Sequence, residues 1–166
     1  MVSGSLYAHF ASKEELLHQI VTAAGEEFLA SVEPIAASDL TPVSKLREAM
    51  RAHVRVVAAS IDHARVFLHE WKALKGERLA EVRALRDRYE ALWDGILADG
   101  VRAGDLREMD PRFARLLVLS AANWIYNWYD PNGLMEPDQV ADGFTDLLLG
   151  GLSIEPSMLA TTEEGR

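Results

Sequence analysis

The stretch GERLAEVRALRDRYEALWDGILADGVRAG, residues 76–104, decides the fold class. Its apolar side chains, Leu79, Val82, Leu85, Tyr89, Leu92, Trp93, Ile96 and Leu97, recur three and four residues apart. That spacing places them on one face of an α-helix. Gly76 and Gly104 bracket the run, and Arg83/Asp87 and Arg86/Glu90 sit four apart, where they are expected to pair on the wet face. A helix this long with one apolar side needs other elements to cover it.

Helix-start signals recur on both sides. Ser12-Lys13-Glu14-Glu15 forms a capping box, in which the Ser12 hydroxyl accepts from a backbone N–H three residues on. It opens a helix carrying Leu16, Leu17, Ile20, Val21, Ala24 and Phe28, expected to end near Pro34. Thr41-Pro42 and Asp110-Pro111 each set a cap residue before a proline at the first helical position. The first opens a helix with Leu46, Met50, His53, Val54 and Val57. A shorter helix is expected from Asp62 to Trp71. The Asp110 helix runs to Trp128 and is apolar nearly all round, so it must be covered by its own core and by a second chain. Pro137 begins a last helix, with Val140, Phe144, Leu147 and Leu148 on one face and a stripe of Asp138, Asp142 and Asp146, read as solvated, on the other. No run alternates as a strand would. The reading is an all-α helical bundle.

Composition narrows the function. The 166 residues carry 17 Lys+Arg against 26 Asp+Glu, a net charge of −9, which excludes non-specific nucleic-acid binding through overall positive charge. With no cysteine, disulfides, thiolate nucleophiles and Cys-bound metals are excluded. No apolar run approaches a membrane span, and the N-terminus does not read as a signal peptide. A cytoplasmic protein with no membrane partner is expected. His63, His69 and Glu70 lack the second histidine of a zinc-binding H-E-x-x-H helix, so no metal is assigned. No nucleophile motif or phosphate loop appears, so no catalytic residue, cofactor or enzymatic activity is expected.

The segment from Val2 to Leu17, VSGSLYAHFASKEELL, resembles the recognition helix of TetR-family transcriptional regulators and the start of the helix that follows it. The resemblance implies DNA contacts from Ser3, Gly4, Ser5, Tyr7, His9 and Lys13. Hydroxyls near a helix N-terminus suit phosphates, Gly4 permits close approach, and Lys13 adds charge to the first turn of the next helix. In that family two helices precede this point, and here Met1 falls at the recognition helix. The chain is therefore expected to hold an incomplete helix-turn-helix and, as it stands, to read no DNA sequence specifically. Glu70-Trp71-Lys72, with Asn123-Trp124 and Trp128-Tyr129, is similar to the subgroup that represses steroid and fatty-acid catabolism and answers to acyl-coenzyme A thioesters.

Three aromatic pairs lie four residues apart: Phe67 and Trp71, Tyr89 and Trp93, and Trp124 and Trp128, the last with Asn127 alongside. Each pair is either ordinary core or the lining of a ligand cavity, and the resemblance favours lining by these seven residues around a hydrophobic acyl or polycyclic effector. The resemblance also implies a homodimer through the last two long helices, with Leu117, Ala121, Val140, Phe144 and Leu147 at the interface. The expected organisation is a DNA-binding remnant at 1–35, a ligand-binding and dimerisation domain at 36–154 and a frayed tail at 155–166. The function implied is a ligand-responsive repressor of operator DNA. The other reading is a small helical carrier or enzyme for acyl thioesters with no DNA role.

Overall fold

The computed structural model describes residues 12–152, and among them every regular element is helical. Helix α1 spans Lys13–Ala36, α2 Pro42–Ala59, α3 Ile61–His69, α4 Gly76–Ala103, α5 Pro111–Trp124 and α6 Pro137–Leu152. Single 3-10 turns follow α3, at Glu70–Ala73, and α5, at Ile125–Asn127. The expected caps close: Ser12 Oγ accepts from the Glu15 N–H at 3.1 Å, Thr41 Oγ1 from the Ser44 N–H at 3.3 Å, and Asp110 Oδ1 from the Arg112 N–H at 2.8 Å. Gly104 ends α4 at φ +80, a conformation in which a side chain would be strained.

Two boundaries differ from the sequence reading. Helix α1 continues past Pro34 to Ala36, because a proline in the final turns forfeits only one backbone bond and the Ala37 N–H still reaches the Glu33 carbonyl at 3.0 Å. The apolar run from Asp110 does not stay α-helical to Trp128; it tightens into the 3-10 turn after Trp124.

The core is built around Phe28 of α1. Its ring lies 5.2 Å from Phe67 of α3, 4.9 Å from His53 of α2 and 5.6 Å from Tyr89 of α4. Val21, Val32, Met50, Val54, Val82 and Trp93 enclose this cluster and are fully buried. Each such aliphatic or aromatic side chain contributes about 1.5–3 kcal/mol by leaving water. Helix α1 crosses α4 closely at Gly25, where an added Cβ would stand 2.2 Å from Leu85 Cδ2. Helix α1 shares one core with α2 and α4.

The Asp138/Asp142/Asp146 stripe is not simply solvated. Helix α6 runs antiparallel to α2, and both carry charges every four residues, so Arg47 meets Asp146 at 2.7 Å, Arg51 meets Asp142 through two bonds of 2.8 and 2.7 Å, and Arg55 meets Asp138 at 2.6 Å. Arg55 holds Asp138, and Arg51 holds Asp142, below the usual carboxylate range. A carboxylate depressed in the folded state stabilises above its unfolded pKa of about 3.9 and loses that contribution as pH falls through the folded value. Asp142→Asn is therefore expected to lower the melting temperature at pH 6 in low salt. The gap to the parent should shrink below about pH 4 and in molar salt. A gap that stayed constant with pH would show that the ladder does not hold α6 in place.

Candidate ligand-binding site

Alongside the Phe28 cluster lies a cavity of about 150 Å³ between α2, α3, α4 and α5. Helix α2 contributes His53, α3 Phe67 and Leu68, α4 Arg86, Tyr89 and Glu90, and α5 Arg115, Leu116, Leu119, Ser120 and Asn123. Its α5 wall repeats at intervals of three and four residues, as one helical face does.

The polar groups are placed by packing. The His53 Nδ1 stands 2.7 Å from the Tyr89 hydroxyl, both side chains being buried. Burial drives the His53 pKa down to about 3, against a smaller opposing effect of Asn123, so the imidazole is neutral at physiological pH. Burial likewise pushes the Tyr89 phenol up. Arg115 is neutralised by Glu90 at 3.2 Å and by Asp94. Arg86 is different. Its guanidinium stacks 5.1 Å above the Phe67 ring and 4.8 Å above Trp71, and donates to the Phe67 carbonyl at 3.3 Å. No carboxylate among the described residues lies within ion-pair distance of it, although burial weighs against its charge. The expected exposed Arg86–Glu90 pair is thus replaced by a half-buried arginine on the cavity wall and a Glu90–Arg115 pair.

Of the seven aromatic and amide residues expected to line a cavity, Phe67 and Tyr89 do so. Trp71 stands one layer out, against Arg86. Trp93 is fully buried behind Tyr89, at 6.2 Å ring to ring, and is core. Trp124 is 58% exposed and Trp128 packs on Phe144 at 6.2 Å; these two and Asn127 face away from the cavity. The reason is angular: Leu116, Leu119, Ser120 and Asn123 take the inward face of α5, and Leu117, Ala121 and Trp124, one residue on, are turned by about 100°. Sequence reasoning missed His53 and Asn123 as site residues. The available signal was a histidine within the otherwise apolar face of α2.

A second apolar surface joins α5 and α6. Leu117, Ala121, Phe144 and Leu147, four of the residues expected at an interface, line a groove with Leu148. Val140, expected with them, is buried and does not line the groove. Phe113, Leu116, Trp124 and Trp128 extend this exposed apolar face. Lys13 is exposed at the start of α1, while Ser3, Gly4, Ser5, Tyr7 and His9 lie outside the described residues. His69 bonds the Tyr126 hydroxyl at 2.6 Å, and the described residues contain no group of three His, Asp or Glu that could hold a metal. No helix among them is long and apolar enough to cross a membrane.

Residues 39–152, which carry the cavity of mixed polarity and the apolar face of α5 and α6, match the family described as tetracyclin repressor-like, C-terminal domain. The chain belongs to this family. It is 29% identical over 155 residues to the HTH-type transcriptional repressor KstR2 of Rhodococcus jostii, covering 92% of this chain and 76% of that protein. Among solved structures it is similar to the TetR-family regulator PfmR from Thermus thermophilus, with 36% identity, a TM-score of 0.80 and coverage of 91% of this chain and 81% of that one. It is also similar to AibR, solved in complex with isovaleryl coenzyme A and operator DNA, with 29% identity, a TM-score of 0.77 and coverage of 87% and 78%. These relatives are transcriptional regulators, and the chain is a ligand-responsive transcriptional repressor of the TetR type rather than a carrier.

Proposed function

We propose that the repressor's effector is a coenzyme A thioester of a short acyl chain, bound with its acyl group in the cavity between α2 and α5. The observation that carries this is the cavity itself: about 150 Å³, with apolar side chains from α3 and α5, a neutral His53, Asn123 and an arginine without a carboxylate within ion-pair distance. A cavity of that size accepts a six-carbon ring such as benzene. It accommodates an acyl group of about four to six carbons and is too small for the polycyclic alternative. Isovaleryl coenzyme A, bound by the similar AibR, falls within that range.

The protein works as a cytoplasmic homodimer through the α5–α6 face, with residues 39–152 as the effector and dimerisation part and α1 linking it to the operator-reading segment. An effector acts by its differential affinity for two spacings of the paired DNA-reading segments. Burying the three aliphatic carbons of a butyryl chain at about 0.8 kcal/mol each gives an advantage of roughly 10–100-fold over the bare carrier. Calorimetric titration is therefore expected to rank butyryl-CoA above free coenzyme A by that factor, with stearoyl-CoA losing the advantage. Equal affinity for butyryl-CoA and free coenzyme A would rule the acyl cavity out.

A further inference from the structure

The bond between His53 and Tyr89 favours one tautomer of the imidazole. The Tyr89 hydroxyl has one hydrogen-bond partner among the described residues, the His53 Nδ1 at 2.7 Å. The phenol proton thus has one acceptor, the His53 Nδ1, and the reverse arrangement would strand a buried hydroxyl proton at a cost of about 1–3 kcal/mol. With Nδ1 accepting and the ring neutral, the proton sits on Nε2.

That Nε2 is buried and closes no hydrogen bond among the described residues, as is also true of the Arg115 Nε, and Asn123 shares its cavity wall. The rest of the cavity wall is mixed, with Phe67, Leu68, Leu116 and Leu119 alongside Arg86, Ser120 and the Glu90–Arg115 pair. A buried N–H without a partner on a cavity wall is a recognition element for an acceptor atom carried in by the guest.

We infer that His53 is the specificity-determining residue of the cavity, its Nε2–H donating to the carbonyl oxygen of the bound acyl group, with Tyr89 holding the tautomer that makes it a donor. The inference rests on the acyl-thioester reading above and adds what the site reads: the carbonyl, not chain length alone. A guest that fills the same volume without an acceptor leaves the N–H unpaired. Such mismatches in buried sites are rejected far more strongly than the loss of a methylene.

The test compares butyryl-CoA with S-butyl-CoA, the thioether in which a methylene replaces the carbonyl, by calorimetry on the unmodified protein. The thioester is expected to bind about tenfold or more tightly. His53→Phe, which keeps a ring but no donor, should reduce the preference to within about twofold, whereas His53→Gln, whose amide nitrogen can take the place of Nε2, should retain it. Tyr89→Phe removes only the oxygen that fixes the tautomer and should also erode the preference, which keeps the test intact where a His53 variant does not fold. Nitrogen-15 shifts of the unliganded protein should show the proton on Nε2. Equal binding of the two compounds, a proton on Nδ1, or a preference that survives His53→Phe overturns the inference while leaving the acyl cavity standing. Failure of the protein to bind either compound overturns both.

Discussion

Truncating Trp93 to alanine is expected to lower the unfolding free energy by about 3–5 kcal/mol, the usual cost of removing a large buried aromatic. The indole is 0% exposed, between His53 at 6.1 Å and Tyr89 at 6.2 Å, so its loss opens a void that neighbouring rings cannot close without leaving the Phe28 cluster. Domains of this kind hold about 5–15 kcal/mol in all, and the variant should unfold at markedly lower urea. Trp124→Ala provides the contrast. Its side chain is 58% exposed, and outside an interface such a change stays within about 0.5 kcal/mol. Urea unfolding of both variants at a protein concentration low enough to avoid association separates the roles. If Trp93→Ala cost less than Trp124→Ala, the assignment of core and surface along α4 and α5 would be wrong.

Leu147→Glu is expected to weaken self-association by about 100-fold or more while leaving the monomer folded. Leu147 is 78% exposed at the centre of an apolar groove shared with Leu117, Ala121 and Phe144, so the monomer has little to lose by its replacement. Exposed apolar surface on this scale marks an interaction site. In a two-fold dimer each substitution is made twice, and a carboxylate enters the interface from both subunits without a partner. Sedimentation equilibrium checks this, with circular dichroism confirming helical content. A dimer of unchanged affinity would show that the α5–α6 face is not where two copies meet.

Much of the helical layout was legible because helix caps are local chemistry. Ser12, Thr41 and Asp110 each announce a start whose hydrogen bond depends on the next three residues and nothing distant. The ligand cavity was only half legible, since a four-residue spacing says that two side chains share a face but not which neighbour that face meets. Tyr89 and Trp93 share a face, yet one lines the cavity and the other sits in the core; Trp124 and Trp128 turn outward altogether. Charge was misread for the same reason. Arg86 and the three aspartates of α6 look solvated when each helix is considered alone, and their partners, the rings of Phe67 and Trp71 and the arginines of α2, are brought in by tertiary packing. His53 stood in an apolar stripe that reads as plain core, and only the pairing of Nδ1 with Tyr89 across 36 residues shows that its other nitrogen is left for a guest.

A crystal structure of the protein grown with butyryl-CoA tests the acyl cavity directly. The acyl group is expected inside the cavity bounded by Phe67, Arg86 and Leu119, its carbonyl oxygen within hydrogen-bond distance of the His53 Nε2. Butyryl density seated in the α5–α6 groove, or a cavity unchanged at saturating ligand, would contradict it.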